Sequence, residues 1–289
     1  MNILLIRKPT NLEQHGDDIR RLLGHESKHI DQLTQAHEEH YRCLEVVRQQ
    51  LANHDISYTE ISRSENQPGE QFAAVITVGG DGTLLTASHY LDDHPLPVIG
   101  IRSSRASVGY LCAGDIDHVP QLVSQLAQGQ LAYLLRQRLR AEIRRAEDDS
   151  LQKTFPVLND FLFANSNPAS TTRYRLEIAG QVEIQKSSGI WIATATGSTA
   201  AISAAGGQAL ATDDPRFQYA VRELYQGGEP FQLQKGFFDP EQDGFLIESH
   251  CARAILALDG ERGLMRLKFG DQVKFRKAKP ILIAKPIDR

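Results

Sequence analysis

The sequence predicts an α/β domain followed by a β-rich one, and two observations carry that prediction. In the first part of the chain, short β-branched apolar runs alternate with segments of helical period, as in an open parallel sheet covered by helices. Near residue 130 the period changes to an apolar–polar alternation of two, the pattern of half-exposed antiparallel strands. A third observation locates the chemistry. The apolar run 73–78 stops abruptly at Gly79-Gly80-Asp81-Gly82-Thr83, and a helical pattern opens at Leu84.

Residues 2–6 read as the first parallel strand, closed by Lys8-Pro9. A helix is expected over 32–53, with Leu33, Tyr41, Leu44, Val47 and Leu51 on one stripe. His25, His29, His37 and His40 lie in or before it, and His37-x-x-His40 has the spacing of a metal pair. Its Glu and Gln neighbours describe a solvated face, and no cysteine or third ligand is in register, so no metal site is expected. Residues 56–61 alternate as a second strand, and 62–71, with Pro68-Gly69, form a polar loop. Residues 97–101 are another buried strand, and its exit over 102–109 is small, polar and basic. Val119, Leu122, Val123 and Leu126 make an amphipathic helix ended by Gly129. In the second part, 139–144 and 174–178 alternate, Ala179-Gly180-Gln181 reads as a hairpin turn, and 189–193 is a more buried strand. Strands at 245–249, 253–258 and within 264–275 are joined by Asp259-Gly260 and Gly270-Asp271, and 281–284 is a last run after Pro280.

With 289 residues and 41% hydrophobic content, the chain can fill one large or two ordinary cores. A net charge of −4 and a pI near 6.2 argue against nucleic acid or an anionic membrane as the main partner. Cys43, Cys112 and Cys251 lie far apart without a CxxC pair, which indicates neither a disulfide framework nor zinc. The opening MNILLIRKP is too short for a signal sequence, and no run approaches the roughly 18 residues of a membrane span, so a soluble cytoplasmic protein is expected.

The glycine loop lies between a strand end and a helix start, where phosphates bind. Glycines let backbone N–H groups approach a diphosphate, and the helix N-terminus adds about half a positive charge. A carboxylate is out of place as a phosphate ligand, so Asp81 points to chemistry on a hydroxyl or on magnesium; the alternative is a tight turn with Asp81 capping the helix. Ligands of open α/β sheets collect beyond the carboxyl ends of strands, so the Asp81 loop and the 102–109 loop are expected to wall one crevice, with Arg102 and Arg105 gripping phosphate. Two further stretches stand out. Asn159 and Asp160 interrupt the apolar run 156–163, either as a site or as an Asx turn or bulge. Residues 194–207 combine a hydroxyl-rich glycine turn with a helix of tiny side chains, which suits a flat ring or a close helix contact.

Together, GGDGT at 79–83, LND at 158–160 and TGSTA at 196–200 with AGG at 205–207 resemble the signature set of the NAD kinase family, in order and spacing, over roughly 73–289. GGDGT alone is shared with diacylglycerol- and sphingosine-type kinases, and phosphofructokinases have a similar GGDGS. GYLC at 109–112, LLRQRLR at 134–140, QKSSG at 185–189, STAA at 198–201 and QYAVRE at 218–223 are more similar to organellar plant and animal NAD(H) kinases. The chain departs from the common bacterial pattern at Arg102 (asparagine expected), Ala201 (tyrosine) and Ser188 (aspartate). The resemblance implies an α/β domain over 1–130, a β-sandwich-like dinucleotide-binding domain over 131–275, and a segment 276–289 returning to the first domain, with the active site between the two. It implies transfer of the γ-phosphoryl of ATP, or of polyphosphate, to the 2′-hydroxyl of the adenosine ribose of NAD(H), with Mg²⁺. Asp81 would be catalytic. Gly79, Gly80, Gly82, Thr83, Asn159, Asp160, Thr196, Ser198, Thr199 and Ala200 would bind the nucleotides, and the protein would be a homodimer or homotetramer. A lipid or sugar kinase using the same loop, and a catalytically silent dinucleotide-binding regulator, are the alternatives.

Overall fold

The structure, a computed structural model, describes residues 1–23, 28–63, 71–91, 96–225, 227 and 230–287; His25 and the Pro68-Gly69 loop lie outside them. The chain forms two compact units, Met1–Leu135 with the segment from Ile281 onward, and Arg136–Pro280.

The first unit contains β1 (Asn2–Arg7), α1 (Asn11–Leu23), α2 (Lys28–Asn53), β2 (Ser57–Ser62), β3 (Ala74–Gly79), α3 (Asp81–Tyr90), β4 (Val98–Arg102), β5 (Gly114–Asp115) and α4 (Val119–Ala127). Its sheet is parallel, in the order β2-β1-β3-β4, with Ile3 paired to Tyr58 on one side and Ala74 on the other. Ile3–Ile6, Ala74–Val78 and Val98–Ile101 are buried, as strands covered on both faces must be. Cys43, Leu44, Val47 and Leu51 of α2 and Val119, Leu122, Val123 and Leu126 of α4 share their core. Two expectations need correction. The helix expected over 32–53 starts at Lys28, and α1 was not expected at all. A capping box starts α1: Thr10 Oγ1 accepts the Glu13 N–H at 3.3 Å, and the Glu13 carboxylate accepts the Thr10 N–H at 2.6 Å.

In the second unit two antiparallel sheets enclose one core, giving the sandwich-like architecture. Its elements are β6 (Tyr133–Arg144), β7 (Leu151–Lys153), β8 (Asp160–Asn165), β9 (Thr172–Ile178), β10 (Gln181–Ser187), β11 (Gly189–Ala193), α5 (Ala201–Ala204), β12 (Phe217–Arg222), β13 (Lys235–Phe238), β14 (Leu246–Ser249), β15 (Ala254–Leu258), β16 (Gly263–Leu267) and β17 (Gln272–Ala284). One sheet runs β10-β9-β14-β17-β6-β7 and the other β13-β12-β11-β8-β15-β16. Phe161 meets Phe275 edge-on at 5.3 Å between centroids, and Phe163 meets Tyr174 at 5.7 Å, so aromatic pairs bridge the sheets. The β9–β10 hairpin turns at Ala179-Gly180, both left-handed, as the sequence predicts. The run at 281–284 is not a separate strand: β17 continues through Pro280, and Ile283 pairs in parallel with Val98 in the first unit.

Candidate active site

In the first unit the chain leaves β1 for β2 on one side, while β3 and β4 lie on the other, so the sheet has its topological switch point between β1 and β3. Ligands of such sheets bind beyond the strand ends at that point. Here those ends are Lys8-Pro9 and Gly79-Gly80-Asp81, and Lys8 N–H donates to Val78 O at 3.0 Å. Gly79 has no room for a side chain, since a Cβ on it would lie 2.1 Å from Thr83 Oγ1. Gly80, extended, is the N-cap of α3, and Asp81 begins the helix without capping it. The Asp81 carboxylate instead accepts two backbone N–H groups, Leu111 at 2.7 Å and Tyr110 at 3.0 Å.

Those bonds tie the glycine loop to the chain leaving β4, and Ser103 N–H adds a bond to Gly79 O at 2.9 Å. The two loops wall a cavity of about 310 Å³ lined by Lys8, Asn11, Arg63, Asp81, Thr83 and Ser107 among others. Asp81 is the only carboxylate among the described residues lining it. Lys8 titrates below the usual lysine range, through burial first and the neighbouring Arg63 charge second.

Arg102 and Arg105 are not brought to this pocket. They line another cavity of the same unit, about 490 Å³, with Glu39, Arg42 and Asp115. The Arg102 guanidinium donates to Asp115 at 2.9 Å, and Glu39 accepts the Ser104 hydroxyl and the Arg105 N–H at 2.8 and 3.0 Å. His37 and His40 go separate ways, His37 to Thr10 Oγ1 at 2.6 Å and His40 to Ser103 Oγ at 2.8 Å. Burial, with Lys8 and Arg7 nearby, holds His40 down to about 4. No group of three or more His, Cys, Asp or Glu among the described residues could hold a metal ion.

In the second unit, Asn159 and Asp160 are organised by a residue that sequence reasoning took only for a hairpin turn. The Asp259 carboxylate accepts the N–H groups of Leu158, Asn159 and Asp160 at 3.0, 2.7 and 3.1 Å. Nothing local in Asp259-Gly260 signals a bond a hundred residues back. Asp160 is buried, and burial, followed by the Asp259 charge, pushes its carboxyl up to about 7, against the pull of Arg262. The 196–200 turn sits directly on this strand start. A Cβ on Gly197 would lie 2.1 Å from Asn159 O, Thr194 N–H donates to that same oxygen at 2.9 Å, and the Thr194 hydroxyl donates to Leu158 O. Ser198 Oγ accepts Leu210 N–H at 2.9 Å. Thr196 Oγ1 is buried without a hydrogen-bond partner, while Thr199 and Ala201 are exposed. An orphaned buried hydroxyl beside a half-buried amide suits a polar ligand.

Residues 12–131 match the family model of the ATP-NAD kinase N-terminal domain. A probable NADH kinase of Oryza sativa subsp. japonica is 27% identical over 269 residues, spanning 84% of this chain and 80% of that protein. The crystal structure of yeast NADH kinase complexed with NADH superposes with a TM-score of 0.76 at 16% identity, covering 100% of this chain and 84% of that one. An NAD kinase from Archaeoglobus fulgidus in complex with ATP gives 0.66 at 18%, covering 99% and 94%. At these identities the two structures establish the fold.

Proposed function

We infer what this chain does from the family it belongs to, that of the NAD kinases: it phosphorylates NAD(H) at the 2′-hydroxyl of the adenosine ribose, giving NADP(H). The donor is the γ-phosphoryl group of ATP or the end of a polyphosphate. The observation that supports the reading most is Asp81, one carboxylate in a cationic, glycine-walled pocket at the switch point of a parallel sheet, held by two backbone N–H groups rather than by a countercharge. Asp81 orients the attacking hydroxyl and takes its proton. Asn159 and Asp160 hold ribose hydroxyls, the amide and the carboxyl, whose pKa burial raises, supplying donor and acceptor to a diol. Thr196, Ser198, Thr199 and Ala200 line the adenosine. Magnesium would come with the donor's phosphates and would supply charge neutralisation on the transferred group. Positioning and charge stabilisation then do most of the catalysis.

The finer readings are a homodimer or homotetramer formed through the second unit, whose sheets have open edges, and a cytoplasmic location, supported by three free, buried cysteines. No helix among the described residues is long and apolar enough to cross a membrane.

The test is incubation with ATP and Mg²⁺ and each of NAD⁺, NADH and diacylglycerol, with the product identified by mass. NADP⁺ or NADPH is expected. Phosphorylated diacylglycerol would replace the reading with a lipid kinase, and tightly bound NADP(H) without turnover would replace it with a silent dinucleotide-binding regulator.

A further inference from the structure

The Asp81 carboxylate takes its direction from two N–H groups, those of Tyr110 and Leu111, near the end of the stretch that leaves β4. Between Arg102 and Gly114 that stretch carries no strand or helix, so contacts with neighbouring elements have to fix where the two donors stand. Its beginning is held by α2. Ser103, 4% exposed, bonds in two directions: its N–H donates to Gly79 O at 2.9 Å, and its hydroxyl lies 2.8 Å from Nδ1 of His40, 63 residues earlier in the chain. The helical residue before His40 adds two more bonds, since Glu39 accepts the Ser104 hydroxyl at 2.8 Å and the Arg105 N–H at 3.0 Å.

His40 is a costly residue to place here. It is fully buried, and its second ring nitrogen, Nε2, has no hydrogen-bond partner among the described residues. Whichever nitrogen carries the proton, Nε2 is left as a donor without an acceptor or an acceptor without a donor, and that lowers stability. Burial first, and the Lys8 charge second, keep the ring neutral. A phenylalanine or leucine would fill the space with no orphaned nitrogen. What packing does not explain is the bond from Nδ1 to Ser103, the residue that also grips the glycine loop.

We propose that His40 is a positioning residue for phosphoryl transfer: through Ser103 it fixes the stretch 103–111 against the glycine loop and so keeps the Asp81 carboxylate aimed at the attacking hydroxyl. The inference rests on the reading of Asp81 as the base. His40 is not among the residues lining the glycine-loop cavity, and it acts through Ser103 alone.

The test compares His40→Phe, His40→Asn and the double variant His40→Phe with Ser103→Ala in the full chain, by steady-state kinetics, Tm and amide hydrogen exchange over 103–111 without ligand. Asparagine sets a polar atom where Nδ1 stands; phenylalanine does not. Small misplacements of a catalytic group cost up to about 10²-fold, so His40→Phe should lower kcat roughly 10–100-fold with both KM values unchanged, and exchange at Tyr110 and Leu111 should quicken. His40→Asn should keep most of the kcat and of the protection. In the double variant neither polar partner is left buried alone, so its Tm should equal or exceed that of wild type while kcat stays low, a split that a merely structural histidine would not give. Wild-type kcat and exchange in His40→Phe overturn the inference. Tm and kcat falling together in all three variants, His40→Asn included, assign His40 to structure and also overturn it. Wild type that makes no NADP(H) overturns the kinase reading instead, and exchange then decides alone: protection lost in His40→Phe and kept in His40→Asn leaves the hold on the loop standing, and equal protection removes it.

Discussion

Replacing one oxygen of Asp81 with an amide changes two things at once. It removes the proposed proton acceptor, and it turns an N–H donor toward either Tyr110 N or Leu111 N, both of which the carboxylate now satisfies. Asp81→Asn should lower kcat by about 10²–10⁴-fold, and the lost acceptor should cost about 1–3 kcal/mol of stability. Steady-state assays beside urea unfolding separate the two effects, and a kcat close to wild type would remove Asp81 from the base role. Asp160 has a pH signature of its own. Its folded pKa, about 7, lies above the unfolded carboxyl value, so the folded state binds the extra proton between about pH 4 and 7. Its contribution to stability is therefore complete below that window and is lost as pH rises through 7. Asp160→Asn, neutral throughout, should flatten this slope, making the variant more stable than wild type at pH 8 by a few kcal/mol, on the order of a three-unit shift, and about equal near pH 4. Equal slopes for both proteins would show that Asp160 is ionised in the folded state.

At the scale of elements, the start of β8 and the hydroxyl-rich turn form one assembly, pinned by Asp259. Asp259→Ala would leave three N–H groups at 158–160 without their acceptor, at about 1–3 kcal/mol for each that stays dry. The variant should lose Tm and raise the dinucleotide Kd together, whereas unchanged dinucleotide binding would detach Asn159 and Asp160 from the ligand. What the sequence reveals at this scale depends on how local the cause is. β1, β3 and β4 are legible because an apolar run ends at a breaker, and Asp81 stands out because a carboxylate among glycines has few structural uses. The start of α1 was equally local, Thr10-x-x-Glu13, but a charged stretch with Gly16 inside it hides the helix that follows. Asp259 and Lys8 were not legible as site residues. One reads as a turn and the other as a strand end, and only the fold carries them to their neighbours. Arg102 was misassigned because its pull toward Asp115 depends on the register between β4 and β5.

At the scale of the molecule, the first unit is not continuous in sequence. Ile281, Ile283 and Ala284 are buried, Ile283 pairs with Val98, and Lys285 and Ile287 donate to Ala132 O and Ala113 O at 2.8 and 2.9 Å. A chain ending at Pro280 should therefore lose hydrogen-exchange protection in β3 and β4 while retaining it in β8 and β15; uniform loss or uniform retention would contradict the division into two units. Pro280 sits beyond the β14 pairing at Gln272–Lys274 and ahead of the pairing at Ile283, so it is tolerated inside a strand that changes partners. The arrangement also sets a clock. Translation delivers β4 long before the strand that covers its outer edge, with the whole of 136–280 made in between. At about 5–20 residues per second that edge waits roughly 10–30 s on the ribosome. During that interval the nascent first unit offers unpaired backbone next to the glycine-loop pocket, whose walls are already encoded.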